Sequence, residues 1–370
     1  MSSDSLRIAF LNSWPAAAHE GSGTAVAIRH LERGLRDLGH EVVTLDLLHQ
    51  DTIPSTELRI RFNLELDQRL AEAGPIHLVV GFDLDGFALD RTLSPPFVLC
   101  LKGVAADEAR FAQGPQRRDL LTRARLERHN ALKSHCVVVP SRYSAAVVSR
   151  LYRIPSARIQ VVPEAVDVGS PHRLSADQPF RVGRPTILSV ARQYRRKDTP
   201  TLLRAVAAVR DRLPEVHLRV IGGGPELPGL EELARKLGLT TTVTFDGPLS
   251  DDAAVWRAFR EAHVFCLPSL QEGFGIVFVE ALAAGLPVVA ARAGAVPEVV
   301  PDGEAGILTP PGDSQQLAWA LLKLLNDPEL RARFGTVGRR RARDFAPEAV
   351  ARQFLEATQT VRPPVHVRSA

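Results

Sequence analysis

The chain carries, near its start, Arg7-Ile-Ala-Phe-Leu11 and, after a helical stretch, Glu41-Val-Val-Thr-Leu-Asp-Leu47. Between these two apolar runs, hydrophobic residues recur at helical spacing from Ala25 to Leu38, and Gly39 ends that stretch. A strand, an amphipathic helix and a second strand of this kind form a βαβ unit, which joins parallel strands. The stretch therefore predicts an α/β fold built on a parallel sheet.

This alternation continues along the chain and is interrupted by a polar, proline-containing stretch from about Gly169 to Pro185. With 370 residues, the chain exceeds the size at which a single hydrophobic core usually stops growing. We therefore predict an α/β protein of two Rossmann-like domains, residues 1–172 and 173–345. Helical sequence follows at 346–360, and a frayed tail at 361–370.

The composition is that of an ordinary globular protein, and no apolar run approaches the ~20 residues that span a bilayer. The chain starts with Met-Ser-Ser-Asp-Ser, without the basic leader of a secretory signal, so we expect a cytoplasmic protein. A net charge of +4 is too small to indicate a nucleic-acid partner. The three cysteines are scattered within apolar runs, which favours buried thiols over a disulfide framework or a metal site.

One segment is much more basic than the rest, with 12 Lys or Arg against 4 Asp or Glu between Lys102 and Gln160. It contains a predicted helix from about Gln116 to Ser134 that carries Arg117, Arg118 and Arg125. A run of charge is commonly no more than a solvated face. The alternative is contact with an anionic acceptor, or peripheral contact with the anionic inner face of a membrane.

Two glutamates bracket a glycine turn and the helix after it in Leu270-Gln-Glu272-Gly-Phe-Gly-Ile-Val-Phe-Val-Glu280. Glycines let the backbone approach a ligand, and a helix start offers N–H groups and partial positive charge to a phosphate. Carboxylates accept hydrogen bonds from sugar hydroxyls. The stretch therefore predicts a site for a nucleotide-sugar. The candidate donor-binding residues at the helix start are Phe274, Gly275 and Ile276.

A cationic cluster follows the first predicted strand of the second half, where ligands bind in open parallel sheets. Arg192 comes directly after Ala191, and Arg195, Arg196 and Lys197 follow. Arg192 and Lys197 are the preferred pair for neutralising a diphosphate, because arginine offers a planar fork to phosphate oxygens and lysine a mobile point charge.

Glycines follow two other predicted strands. Gly222-Gly223-Gly224 predicts a turn that approaches a ligand closely, and Gly21-Ser-Gly23, at a helix start, can present N–H groups to an oxyanion or a hydroxyl. The second pattern could also be read as a truncated dinucleotide fingerprint. However, Trp14 to Glu20 separates the strand from the glycines, which disfavours a nicotinamide-dependent dehydrogenase.

Together these residues resemble the retaining glycosyltransferases of family four, which have the GT-B architecture, and the resemblance covers nearly the whole chain. The matching motifs are Val190-Ala-Arg192 with Lys197, Ile221-Gly-Gly-Gly-Pro-Glu226, Phe245-Asp-Gly-Pro248, Pro268-Ser-Leu-Gln-Glu-Gly-Phe-Gly275 with Glu280, and Ala284-Gly-Leu-Pro287 before Gly294. The resemblance implies two Rossmann-like domains whose parallel sheets face each other across a cleft. It also implies retaining, metal-independent transfer of a hexose from a nucleoside-diphosphate sugar to a hydroxyl acceptor, without a cofactor.

The resemblance further implies that the carboxyl-terminal domain holds the donor, that the amino-terminal domain holds the acceptor, and that the helix 346–360 returns to the amino-terminal domain. Arg192 and Lys197 would stabilise the departing diphosphate. Glu272, the third catalytic candidate, would hold the donor sugar, and Glu280 the ribose. The remaining donor-binding candidates are Gly23 and Gly223. Retention would come from front-face attack assisted by the leaving phosphate, without the covalent intermediate of retaining hydrolases.

Three positions depart from the family pattern. One is Asp198, which follows Lys197 where the family usually has Gly or Asn. Lys102 stands after the fourth predicted strand, where the family typically has histidine, and Glu164 stands where the family commonly begins Asn-Gly-Val-Asp. Both are candidate catalytic or acceptor-side residues, and each could instead be a surface or linker charge. Two alternatives to a glycosyltransferase stay open: a non-catalytic nucleotide-sugar-binding partner subunit, and a GT-B sugar-nucleotide epimerase. The epimerase needs an opposed acid and base, and the sequence identifies no such pair.

Overall fold

The chain folds into two compact units. A computed structural model describes residues 5–14, 23–47, 55–90, 95–169, 183–249 and 251–361. The first unit contains the described residues up to Ala165, apart from Gly23, and resumes at Pro347; the second contains Val166–Ala346 and Gly23. The divisions thus fall at 165/166 and 346/347, where the sequence placed them at 172/173 and 345/346. Most of the polar stretch before Pro185 and the tail after Val361 lie outside the described residues.

The first unit is built on a parallel sheet. Its strands are β1 (Arg7–Asn12), β2 (Glu41–Asp46), β3 (Leu78–Phe82), β4 (Phe97–Cys100), β5 (Cys136–Val139) and β6 (Ile159–Val161). Their spatial order is β2-β1-β3-β4-β5-β6, and neighbouring strands are parallel. Every residue of β3, β4 and β5 is buried, as expected for strands covered on both faces.

The second unit repeats this arrangement. Its strands are β7 (Thr186–Val190), β8 (His217–Ile221), β9 (Val243–Gly247), β10 (Val264–Leu267), β11 (Val288–Ala291) and β12 (Gly306–Thr309). Their order is β12-β11-β10-β7-β8-β9, again parallel. Two six-stranded parallel sheets within the described ranges confirm the prediction of two Rossmann-like halves. The sequence did not predict β12, a short edge strand that contains a glycine and a threonine.

Helices connect the strands, as parallel pairing requires. In chain order they are α1 (Gly23–Asp37), α2 (Thr56–Leu64), α3 (Leu66–Glu72), α4 (Ala105–Glu108), α5 (Gly114–Lys133), α6 (Arg142–Tyr152), α7 (Thr199–Arg210), α8 (Leu227–Lys236), α9 (Asp252–Glu261), α10 (Ile276–Ala283), α11 (Val296–Val299), α12 (Ser314–Asn326), α13 (Pro328–Ala342) and α14 (Pro347–Ala357). Within the described part of the chain, no helix is long and apolar enough to cross a membrane.

The carboxyl-terminal helix α14 packs on α1 in the first unit. Gly34 of α1 lies so close to it that a Cβ atom there would stand 2.2 Å from the carbonyl oxygen of Pro347. Val350, Ala351 and Phe354 of α14 are buried in the same hydrophobic cluster as Ile28 of α1. The helix α14 therefore belongs to the first unit, which also contains the first strand of the chain.

Candidate active site

The second sheet has a point at which its strand order reverses. From β7 the chain proceeds to β8 and β9 on one side, whereas β10 and the strands after it lie on the other side. Open α/β sheets bind ligands at such a point, outside the carboxyl ends of the strands. The loops after β7 and β10 meet there, and they contain the predicted cations and Glu272.

Lys197 and Glu272 form the centre of this site, although 75 residues separate them in the chain. Lys197 Nζ donates a hydrogen bond to Glu272 Oε1 over 2.5 Å, and Ser269 Oγ donates to the same oxygen over 2.8 Å. The guanidinium of Arg196 lies 3.6 Å from Glu272 Oε2. Lys197 and Glu272 are both buried. The carboxylate therefore has a cation at each oxygen.

These partners keep Glu272 ionised. Burial by itself would raise the pKa of this carboxyl, but the charges of Lys197 and Arg196, with the hydrogen bonds from Lys197 and Ser269, lower it. A buried charge costs much free energy unless it is paired and hydrogen-bonded, and here it is both. The site thus holds a fixed negative charge between two positive ones.

The backbone around Glu272 is fixed from two further directions. Leu270 N donates to the carbonyl oxygen of Arg196 over 2.7 Å, and Ala295 N donates to that of Glu272 over 2.9 Å. Gly294, with φ +55°, lies where a Cβ atom would stand 2.4 Å from the Glu272 carbonyl oxygen. Only glycine fits so close an approach at positive φ.

Gly223 is joined to the same loop. Gln193 N donates to the carbonyl oxygen of Gly223 over 2.8 Å, and the buried side chain of Gln193 accepts a hydrogen bond from Thr199 Oγ1 over 2.8 Å. The glycine turn after β8 is therefore tied to the loop that carries Lys197. Arg192 comes after Ala191, the first residue beyond β7; it is half-buried, and its guanidinium lies over the ring of Tyr194, 5.6 Å from the ring centroid.

The helix after the glycine turn is α10, which begins at Ile276, the last of the three residues predicted for the helix start. Gly275 caps it at φ +91°, and a Cβ atom there would collide with the ring of Phe278 at 2.4 Å. Phe274 is buried, and its ring packs edge-on against Phe345 at 5.4 Å. The side chain of Phe274 is therefore part of the hydrophobic core, and its backbone is part of the glycine turn. Glu280 is half-buried, one turn into α10.

Gly23, the first residue of α1, belongs to the second unit, and a Cβ atom there would stand 3.3 Å from Cδ1 of Ile276, the first residue of α10. Gly21 lies outside the described residues. Lys102 and Glu164 are in the first unit, where they contact each other. The structure therefore brings Lys197, Gly223 and Glu272 together in one unit and pairs Lys102 with Glu164 in the other.

Sequence reasoning assigned no role to Ser269, and it preferred Arg192 over Arg196. Ser269 stands three residues before Glu272 and is fully buried, so its hydroxyl requires a partner. Nothing in the sequence distinguishes Arg195 from Arg196. The short 3₁₀ turn Arg195–Lys197 decides which one points towards the carboxylate, because Arg195 is exposed and Arg196 is not.

Both halves of this chain match models of known protein families. The model of "Glycosyl transferases group 1" matches residues 172–341, and that of "Glycosyltransferase Family 4" matches residues 21–170. A GDP-mannose-dependent alpha-(1-6)-phosphatidylinositol monomannoside mannosyltransferase of Mycolicibacterium smegmatis is 33% identical over 56% of this chain and 57% of its own. An MMP alpha-(1->4)-mannosyltransferase of Mycolicibacterium hassiacum is 29% identical over 95% of this chain and 97% of its own.

Among solved structures, sucrose-phosphate synthase of Thermosynechococcus elongatus superposes with a TM-score of 0.78 at 22% identity, over 96% of this chain and 99% of that one. This likeness shows the fold, which is GT-B. The chain spans about half the length of the first curated relatives it matches, namely 57%, 55% and 53%.

Proposed function

Since the chain belongs to the family-four glycosyltransferases, its two halves matching the two models of that family, we propose that it transfers a hexose from a nucleoside-diphosphate sugar to a hydroxyl acceptor with retention of configuration. The observation that carries the proposal is the Lys197–Glu272 pair at the strand reversal of the second sheet. It is a buried, preorganised charge cluster at the edge where such folds bind ligands.

Each charged residue of the site has a role that follows from the sign of its charge. Lys197 and Arg192 neutralise the diphosphate as its bond to the sugar breaks, which is when negative charge develops on the leaving group. Glu272 holds Lys197 in place and accepts hydrogen bonds from donor-sugar hydroxyls. Glu280, one turn along α10, receives the ribose, and the first turn of α10 faces the phosphates. The reaction uses no metal ion and no cofactor.

GDP-mannose is the first donor to test. The Mycolicibacterium smegmatis relative is named for its dependence on GDP-mannose, and both relatives are named as mannosyltransferases. A panel of GDP-, UDP- and ADP-sugars, each at high concentration, should raise the melting temperature with one nucleotide class, because a ligand that binds the native state stabilises it. Glu272→Ala should weaken that shift. No shift with any donor would contradict the proposal.

Turnover separates the enzyme from a subunit that merely binds nucleotide-sugar. We expect slow donor hydrolysis in the absence of acceptor and faster transfer in its presence, both unchanged by EDTA. The anomeric configuration of the first-formed product, read by NMR, should match that of the donor. Binding without hydrolysis or transfer would indicate a non-catalytic subunit, epimerised donor would indicate an epimerase, and inversion would contradict the retaining mechanism.

We also propose that α5 contacts an anionic membrane. Arg117, Arg118, Arg125 and Arg128 are exposed on α5. At 100° per residue they fall within an arc of about 100° on one side of the helix. Arg123, outside this arc, pairs with Asp119 at 3.4 Å. An arginine stripe of this kind is attracted to anionic headgroups, and the Mycolicibacterium smegmatis relative is named for a lipid acceptor.

Vesicles test this contact. Wild type should co-sediment with vesicles containing phosphatidylglycerol and not with vesicles of phosphatidylcholine, and salt should weaken the binding. The triple change Arg117→Glu, Arg118→Glu, Arg125→Glu should abolish it. The matched control reverses three exposed arginines that the structure pairs with glutamates, by Arg61→Glu, Arg235→Glu and Arg352→Glu. Equal loss in both variants would show a net-charge effect, and binding unchanged by the α5 triple would overturn the proposal.

A further inference from the structure

Lys102 and Glu164, two of the departures from the family pattern, contact each other. They are 62 residues apart in the chain, and Lys102 Nζ donates a hydrogen bond to Glu164 Oε2 over 2.6 Å. Their side chains are only 9% and 4% exposed. Lys102 follows β4 and Glu164 follows β6, so the pair lies at the carboxyl edge of the first sheet, where open parallel sheets bind ligands.

The pair is held by its surroundings. Lys102 N donates to Asp83 Oδ1 over 2.8 Å, and the other oxygen of Asp83 accepts from Trp14 Nε1 over 3.0 Å. Lys102 Nζ lies 5.6 Å from the centroid of the Phe82 ring. The loops after β1, β3 and β4 therefore converge on Lys102. Its ammonium is preorganised, so a ligand would meet it in a fixed position.

The charges of the pair cancel. Burial by itself would lower the pKa of Lys102, but the charge of Glu164, its hydrogen bond and the charge of Asp83 act together against burial and the pKa is raised, so the ammonium stays charged. An unpaired lysine at a ligand-binding edge attracts phosphates and carboxylates. At Lys102 that attraction is offset by Glu164, and none of the described ion pairs adds a second cation to this carboxylate as Arg196 does at Glu272. The ammonium keeps further N–H donors, and the carboxylate keeps lone pairs beyond the one that the ammonium uses.

On the basis of the proposed glycosyl transfer, we propose that Lys102 and Glu164 act together as a receptor for one hydroxyl, and that they select an uncharged polyol part of the substrate over its phosphorylated counterpart. A hydroxyl both accepts and donates, so it can accept a hydrogen bond from Lys102 while it donates one to Glu164. A phosphate in the same place meets the negative charge of Glu164 without a free cation to offset it.

The test is calorimetric titration of protein saturated with the nucleoside diphosphate of the donor that it hydrolyses. The probes are two pairs, methyl α-mannoside with mannose 6-phosphate, and myo-inositol with its monophosphate. Wild type should bind the uncharged member of a pair more tightly. Glu164→Gln leaves Lys102 as an unpaired cation, so it should move the ratio of affinities towards the phosphorylated member by about tenfold or more, equivalent to about 1.4 kcal/mol.

Two further variants complete the test. Glu164→Asp moves the carboxylate away from Lys102 by one methylene, so it should change the ratio of affinities in the same direction by about threefold. This variant replaces Glu164→Gln in the test if Glu164→Gln does not fold. Glu41→Gln removes the carboxylate from the Arg7–Glu41 ion pair at the opposite edge of the same sheet and should keep the wild-type ratio.

An unchanged ratio in the folded Glu164 variants would overturn the inference. Wild type that hydrolyses donor yet binds neither member of either pair would overturn it as well, while leaving the proposed function in place. If wild type neither binds nor hydrolyses any donor, the proposed function fails, and this inference fails with it.

Discussion

A double-mutant cycle on Lys197 and Glu272 separates what their contact does for stability from what it does for transfer. The variants are Lys197→Met, Glu272→Gln and the combination, all close to the native shape. If the pair serves both stability and catalysis, as proposed here, each single change should harm both. The double change should then restore part of the stability and none of the activity.

The structure sets the size of the stability effect. At an effective dielectric constant of about 20, the attraction at 2.5 Å between Lys197 and Glu272 is roughly 7 kcal/mol, and that at 3.6 Å between Arg196 and Glu272 is roughly 5 kcal/mol, before desolvation is subtracted. Arg196 and Ser269 remain in Lys197→Met. The loss should therefore lie at the lower end of the range for broken buried pairs, about 3 kcal/mol.

For a unit of this size, such a loss corresponds to a fall of about 6–12 °C in melting temperature, measured by calorimetry. In the double variant neither Lys197 nor Glu272 stays charged without the other, and only the half-buried Arg196 loses this carboxylate, so the loss should be smaller than the sum of the two single losses by at least about 1 kcal/mol. Glu232→Gln, in the exposed pair with Arg235, is the control and should leave the melting temperature unchanged.

Activity should follow a different pattern. Each single variant and the double variant should lose about 100-fold or more in kcat/KM for transfer, because the charge that meets the leaving diphosphate is removed or displaced in all three. Recovery of kcat/KM together with stability in the double variant would show that the pair is purely structural. A Lys197→Met enzyme within threefold of wild type would refute the reasoning directly.

Three further outcomes are expected. Gly294→Ala should lower both melting temperature and donor binding by more than Gly312→Ala, because both sites have positive φ but only the first Cβ meets a neighbour, the Glu272 carbonyl oxygen; equal effects would contradict this. Below about pH 4.5, wild type should lose the stability that ionised Glu272 provides, since its folded pKa is lowered, and Glu272→Gln should show a shallower decline in melting temperature on acidification. Glu127 of α5 is buried and accepts hydrogen bonds from Ala105 N and Tyr152 Oη, and burial raises the pKa of its carboxyl to about 8. The cost of ionising Glu127 in the folded state is therefore absent below about pH 4.5 and grows as pH rises towards 8. Glu127→Gln should make the melting temperature less dependent on pH across that window, and an unchanged pH dependence would refute the assignment of this effect to Glu127.

Local pattern was sufficient for most of the fold. The apolar runs Arg7–Leu11 and Glu41–Leu47 predicted β1 and β2 to within one residue, because buried parallel strands are typically short apolar runs. The failures have local causes. The edge strand β12 was not predicted because it has only four residues and one of them is glycine. Of the three residues predicted for the helix start, only Ile276 is helical, because Gly275 takes positive φ and caps the helix.

The candidate site was predictable in composition but not in its contacts. The sequence places cations and carboxylates after particular strands, and parallel pairing brings those strand ends to one edge. It does not specify that Arg196, and not Arg195, turns towards Glu272, nor that Ser269 shares an oxygen with Lys197. Those choices depend on a 3₁₀ turn and on side-chain directions that leave no periodic signal.

The sequence by itself determined that this chain has two parallel α/β halves, and which strand ends carry glycine, cation or carboxylate, because burial periodicity and turn chemistry are local properties of the chain. The tertiary structure alone decided that β10 pairs with β7, so that residues 75 apart meet at 2.5 Å, and that Lys102 and Glu164 neutralise each other. The physical reason is the distance along the chain over which each effect acts. A hydrophobic pattern depends on residues a few positions apart, whereas the partner of a buried charge depends on which distant segments the packed sheet brings within hydrogen-bonding distance.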